Sequence, residues 1–105
     1  MLEWLKSLFG GGTKVSYPEL VANGAKIIDV RTPAEYKSGH IQGSINIPLQ
    51  DLSKKIGKLD KDTPVITCCA SGIRSASAKR LLKSMGFKEV HNGGAWHVLE
   101  GKING

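Results

Sequence analysis

The segment VITCCASGIRSAS, Val65 to Ser77, gathers the residue types that can do chemistry. Both cysteines of the chain stand here side by side, and Gly72, Arg74 and Ser75 follow closely. An apolar run ends at Cys68, and a helical period opens at Arg74. A cysteine between a strand end and a helix start sits where backbone N–H groups and the helix dipole converge on an anion. Thiols in such places titrate at roughly 3.5–7.5. Gly72 lets the loop bend with its amides pointing inward, and Arg74 adds a fixed positive charge. The combination suits a thiolate nucleophile acting on an anionic substrate. Simple burial as a small apolar residue accounts for Cys68. It does not account for a glycine and an arginine in the tight turn behind Cys69. Ser71, Ser75 and Ser77 can donate hydrogen bonds, but a serine without a base is no nucleophile.

The flanking elements must hold that loop. Lys14–Ser16 reads as a weak strand. Ser16 and Glu19 have capping-box spacing and Asn23-Gly24 is a stop, so the spacing predicts a helix over 17–23. AKIIDV (25–30) reads as a buried strand. Thr32-Pro33-Ala34-Glu35 is a second capping box, opening a helix that is over by Gly39. SINIP (44–48) is a short strand, and Leu49, Leu52, Ile56 and Leu59 then keep a helical period. VITC (65–68) is the most strand-like stretch. Ala78, Leu81, Leu82 and Met85 carry a helix from Arg74 to a Gly86 C-cap. KEVHN (88–92) reads as the last strand and AWHVLEG as the last helix. Strands joined through helices predict an α/β fold with a mostly parallel sheet of about five strands and helices on both faces. Ligands of such sheets bind outside the carboxyl ends of the strands.

The chain has 105 residues, the length of one domain. Hydrophobic residues make up 40% and charged residues 23%, as in ordinary globular domains. The formal charge is +6, but the lysines are scattered and no aromatic residues interleave with a basic stripe, which argues against nucleic acid. A positive field that draws in small anions is the better use of it. Leu2, Leu5 and Phe9 make residues 1–9 a short amphipathic segment, and Gly10-Gly11-Gly12 a loose joint. We therefore expect residues 1–12 to stand apart from a domain over 13–105. Residues 1–9 are expected to form a turn of helix that lies on the domain or frays, with contact to a membrane surface or a partner as the alternative. Two adjacent cysteines make no disulfide framework, and the N-terminus is a poor secretory signal, so a reducing cytoplasm is expected. His91 and His97 lack ligand spacing, and neither a metal nor another cofactor is called for.

Which cysteine reacts is a question of spacing. From Cys68 the segment reads C-x5-R-S, which resembles the tyrosine-phosphatase loop; from Cys69 it reads C-x2-G-x-R-S. The phosphatase loop usually has its glycine three residues after the nucleophile, and Gly72 is three after Cys69 but four after Cys68. Cys69 through Ser75 resembles the active-site loop of a rhodanese, or thiosulfate sulfurtransferase, domain. IIDVRTPAEYKSGHIQGSINIPL (27–49) is similar to the other rhodanese signature, and Gly86-Phe87, Gly93-Gly94 and Trp96 to its ending.

The resemblance implies the single-domain rhodanese fold, with Cys69 as the persulfide-forming residue and Ala70, Ser71, Gly72, Ile73 and Arg74 around the substrate. It implies a small anionic sulfur donor such as thiosulfate, and cyanide, a thiol or a protein thiol as acceptor. Arg31, at the same edge of the sheet, is a further candidate for the anion. Asp29 is expected to be a buried hydrogen-bond anchor, Glu35 to cap its helix rather than pair with Arg74, and His40 to be structural. Two other readings stay open: a sulfur-relay module serving a protein partner, and a phosphatase or arsenate reductase of related fold, whose loops are one residue longer.

Overall fold

The computed structural model describes residues 15–104. The expected amphipathic segment over 1–9, the glycine joint and Lys14 lie outside the described residues. Helix α1 (Tyr17–Ala22) starts where the Ser16 hydroxyl accepts the Glu19 N–H at 3.4 Å. Val15 and Ser16 are therefore a helix lead-in and not the weak strand expected at 14–16. Strand β1 (Lys26–Asp29) follows, then α2 (Pro33–Lys37), which has the complete capping box expected of Thr32 and Glu35. Strand β2 is only Ile45–Asn46. The Leu49–Leu59 period folds as α3 (Leu52–Lys55) between two single 3₁₀ turns, burying Leu52 and Ile56. Strand β3 (Val65–Cys69) leads through the cysteine loop into α4 (Ile73–Ser84), and β4 (Val90–Ala95) runs straight into α5 (Trp96–Asn104).

The described residues form a four-stranded sheet in the order β2-β1-β3-β4, all parallel, where about five strands were expected. The chain runs outward from β1 in both directions, so the switch point lies between β1 and β3. Crevices at such points, beyond the carboxyl ends of the strands, are where open α/β sheets bind ligands. Asp29 ends β1 there and Cys69 ends β3.

The last strand is the main departure from expectation. It starts at Val90 and continues through Gly93 and Gly94 to Ala95. Thr67 pairs with Asn92 but Cys69 pairs with Ala95, so β4 holds one extra residue. The glycine pair is thus a β-bulge, a device that re-aims side chains at a strand end. A Cβ on Gly93 would meet Leu99 Cδ2 at 2.7 Å, Ile66 Cγ2 at 2.9 Å and the Thr67 carbonyl oxygen at 2.9 Å. Only glycine fits so close to the sheet.

Alternation along β3 sorts its side chains between two cores. Val65 and Cys69 face one with Ile28, Val30, Leu52, Leu82 and Phe87. Ile66 and Cys68 face the other with Ile27, Ile41 and Leu99. Leu82 of α4 and Leu99 of α5 are fully buried on these two sides. Each contributes roughly 1.5–3 kcal/mol by leaving water. The helices that carry them hold the sheet from both faces.

Candidate active site

Three backbone features build the loop after β3. The strand delivers Cys69 to the sheet edge, Gly72 turns back at φ +104°, and α4 begins at Ile73. A Cβ on Gly72 would stand 3.5 Å from the Gly94 Cα, so the loop rests closely on the bulge of β4. The turn wraps the Cys69 sulfur in donors. The Gly72 N–H donates to Sγ at 2.9 Å and the Ser75 N–H at 3.3 Å. The Ser75 hydroxyl lies 3.3 Å from Sγ. Burial by itself would raise the Cys69 thiol. The Ser75 hydroxyl and the amides of Ser75, Gly72 and Ser71 outweigh it, and the net shift is downward. Cys68 is the opposite case. Burial among apolar side chains, helped by the nearby Asp29 charge, pushes its thiol up to about 12. The surroundings of the adjacent sulfurs therefore act in opposite directions, favouring the thiolate at Cys69 and disfavouring it at Cys68.

Cys69 is 0% exposed, while Ala70, Ser71 and Ile73 on the outer loop are open to solvent. Ile73, at 76%, projects almost freely. Beside the loop an open, mainly apolar groove of about 340 Å³ is lined by Val30, Pro33, Pro48, Leu49 and Arg74, among others.

The two arginines divide their work differently from expectation. Arg74, half-exposed at the groove, makes a forked pair with Glu35: Nη1 to Oε1 at 2.8 Å and Nη2 to Oε2 at 3.0 Å. Glu35 thus both caps α2 and pairs with Arg74, which corrects the expectation of capping alone. The Arg74 fork, with the Thr32 amide, holds the Glu35 carboxyl down at about 2. Arg31 was expected near the anion. Its guanidinium is instead buried: Nε and Nη2 grip the Asp29 carboxylate, with Nη2 to Oδ2 at 2.7 Å. Nη2 also donates to the Gly39 carbonyl and Nη1 to the Glu35 carbonyl, while the guanidinium carbon lies 4.9 Å from the Trp96 ring centroid. An arginine so committed ties β1 to α2 and α5. Asp29 is the buried anchor foreseen. His40 stacks on Tyr36, with ring centroids 3.7 Å apart.

A rhodanese-like domain model matches residues 2–96. The chain belongs to the rhodanese-like domain family. It is 40% identical over 81 residues to the thiosulfate sulfurtransferase PspE of Escherichia coli (strain K12), covering 74% of this chain and 78% of PspE. The thiosulfate sulfurtransferase GlpE of Shewanella oneidensis is 36% identical over 80 residues, 72% of this chain and 79% of that one. A solved structure described as a rhodanese with anions from E. coli superposes with a TM-score of 0.67 at 39% identity, over 70% of this chain and 88% of that chain. By this kinship the protein is a rhodanese-type transferase with sulfurtransferase relatives. Among the described residues no helix is long and apolar enough to cross a membrane.

The structure places Cys69 at the end of β3, Ala70, Ser71 and Gly72 in the turn, and Ile73 and Arg74 in the first turn of α4, while Arg31 is buried against Asp29. Sequence reasoning missed Asn92. Its side chain reaches Ser75, Gly94 and Gly72 from the bulged strand. An asparagine before two glycines looks like an ordinary turn, and nothing local tied it to Ser75.

Proposed function

We propose that the protein moves a sulfane sulfur from thiosulfate, or a related donor, to cyanide or a thiol through a persulfide on Cys69. One observation carries this reading: Sγ sits at the focus of the loop amides and the Ser75 hydroxyl, at the carboxyl end of β3. Those donors favour the thiolate. The Cys69 thiolate attacks the outer sulfur of the donor, the donor's S–S bond breaks, and sulfite leaves with the electron pair. Cys69 then carries a persulfide whose outer sulfur is anionic. An acceptor thiolate or cyanide attacks that outer sulfur, and Sγ departs as the thiolate. No external oxidant or reductant is consumed. The leaving groups are stable anions, so no general acid is required. The loop N–H groups stabilise the charge as it moves along the two sulfurs. Arg74, oriented by Glu35, places a guanidinium at the entrance.

The sealed position of Sγ supports an approach through the outer loop, past Ala70 and Ser71. The exposed Ile73 and the apolar groove beside Arg74 favour a second reading within the same chemistry, in which a protein thiol is the acceptor. Apolar area at a loop tip suits a protein surface better than a small anion. Free thiols in the working state fit a reducing cytoplasm.

Intact mass after incubation with thiosulfate tests the proposal on the wild type and on Cys68→Ser and Cys69→Ser. A gain of one sulfur is expected in the wild type and in Cys68→Ser, and none in Cys69→Ser. Thiosulfate:cyanide transfer should follow the same pattern. Loss of the adduct in Cys68→Ser alone would transfer the nucleophile to Cys68. Turnover of an aryl phosphate without a sulfur adduct would replace the sulfurtransferase reading with a phosphatase. Transfer to a protein thiol much faster than to cyanide would favour the relay.

A further inference from the structure

Asn92 lies outside the loop, yet its side chain occupies three positions in the site. The Gly94 N–H donates to its Oδ1 at 3.0 Å, and its Nδ2 donates to the Gly72 carbonyl at 3.3 Å. A backbone N–H only donates and a carbonyl only accepts, so these two partners fix which end of the amide is which. Oδ1 then lies 2.6 Å from the Ser75 hydroxyl oxygen. An amide oxygen cannot donate, so in that contact Ser75 must. The same hydroxyl lies 3.3 Å from Cys69 Sγ. Ser75 has one proton and two neighbours that want it, an amide oxygen and a sulfur anion.

We propose that Asn92 is a positioning residue that competes with the Cys69 sulfur for the single Ser75 hydroxyl proton, so that the hydroxyl is a two-position switch set by the charge on Sγ. With Sγ protonated, the thiol donates to Ser75 Oγ and Ser75 donates to Asn92. With Sγ ionised, the hydroxyl turns toward sulfur, and Oδ1 keeps only the Gly94 N–H. When a persulfide forms, the charge passes to the outer sulfur, and the hydroxyl can return to Asn92. No covalent bond forms or breaks in the switch. Asn92 therefore restrains the thiolate, while its Nδ2 holds the Gly72 carbonyl and the turn whose amide serves Sγ. Asn92 is the last residue of β4 in regular register, opposite Thr67, and the extra residue that follows it brings Ala95 opposite Cys69.

The inference rests on Cys69 being the reacting thiol. The other titratable or charged groups around it are Arg74 at the start of α4, Glu35 on α2, Cys68 on β3, and the Asp29–Arg31 pair behind β1. On β4, His91 is turned to Glu89, with Nε2 2.8 Å from Oε2. The substitutions below change none of these.

The test is the pH dependence of iodoacetamide alkylation of the full chain, with tandem mass spectra separating Cys69 from Cys68. Asn92→Leu should lower the Cys69 midpoint by up to about one unit, the size of the neutral Ser75–Asn92 hydrogen bond that the thiol form loses. Ser75→Ala should raise it, because the thiolate loses a donor. The double variant should not fall below Ser75→Ala alone, since without the hydroxyl Asn92 reaches sulfur only through its bond to the Gly72 carbonyl, whose loss acts in the opposite direction. A merely structural Asn92 would raise the midpoint, or shift it equally in both backgrounds, and either result overturns the inference. In the unmodified protein, the Asn92 side-chain amide resonances should titrate with the Cys69 midpoint. Their failure to move would overturn the inference even if no Asn92 variant folds. Labelling of Cys68 in place of Cys69 would instead overturn the assignment of the nucleophile.

Discussion

Replacing Arg31 by alanine separates an anion ligand from a structural tie. Asp29 and Arg31 are 0% and 3% exposed, and the guanidinium meets the carboxylate through three N–H···O contacts of 2.7–3.0 Å. Removing one member of a buried pair leaves the other charge uncompensated, at a cost of about 3–5 kcal/mol. The lost contacts with the Gly39 and Glu35 carbonyls and the Trp96 ring lie in the same direction. A domain of this size has about 5–15 kcal/mol in all, so the variant should keep a small margin. At about 4–8 °C per kcal/mol, its melting temperature should fall by more than 12 °C or so. Urea denaturation gives the free energy, and steady-state kinetics below the transition give the activity of the folded fraction. The thiosulfate KM of that fraction should stay within a few-fold of the wild type. Arg74→Ala should do the reverse, weakening thiosulfate use with little loss of stability, because its pair with Glu35 is about a third exposed. A stable Arg31→Ala protein with a greatly raised KM would refute this reasoning and return Arg31 to the substrate.

Other outcomes follow from single features. Gly93→Ala should cost more than the 1–3 kcal/mol of ordinary overpacking, because one of its three clashes is with the Thr67 carbonyl. Gly94→Ala, with φ +81° but open space around its Cβ, should cost only about 1 kcal/mol, and equal urea midpoints would reject the bulge argument. The Glu35 carboxyl titrates at about 2 in the folded protein, below its ordinary value, so its contribution is present above about pH 4.5 and lost as pH falls toward 2. Glu35→Gln, which keeps the cap, should flatten the fall in stability over that window, and an unchanged slope would show that the Arg74 fork adds nothing. We also propose that removal of residues 1–12 leaves thiosulfate transfer intact and lowers the melting temperature by less than about 8 °C, roughly 1–2 kcal/mol for a chain of this length. A larger fall would put that segment in the domain.

The candidate loop stood out in the sequence because its residue types are unusual in combination. A thiol, a glycine three residues on and an arginine two further on have few purely structural uses. The capping residues Ser16 and Thr32 marked two helix starts for the same reason: each cap is a local hydrogen-bond pattern, complete as a capping box only at Thr32. Pairings across the fold were not legible. Glu35 and Arg74 are 39 residues apart, and nothing local shows that their side chains meet. Arg31 drew attention as a cation at a strand end, but its role depends on Asp29 turning its carboxylate toward it inside the sheet edge. The glycines of β4 look like the end of a strand. They act as a bulge because Leu99 and Ile66 crowd one of them against the sheet.

The back-to-back setting of the two cysteines bears on oxidative damage. Neighbouring thiols commonly resolve one another: a sulfenic acid on one condenses with the other and escapes further oxidation. Here alternation along β3 sends the two sulfurs into different cores, on opposite faces of the sheet. Closing a bond between them would require the end of a central strand to unpair. The chain contains no third cysteine. A peroxide that reaches Cys69 therefore leaves a sulfenic acid with no internal rescuer. Repair must come from outside, from a small thiol or a reductase able to enter the mouth of the loop. If Cys69 is the reacting thiol, as proposed, the burial that sets Cys68 apart leaves Cys69 dependent on the reducing power of its surroundings.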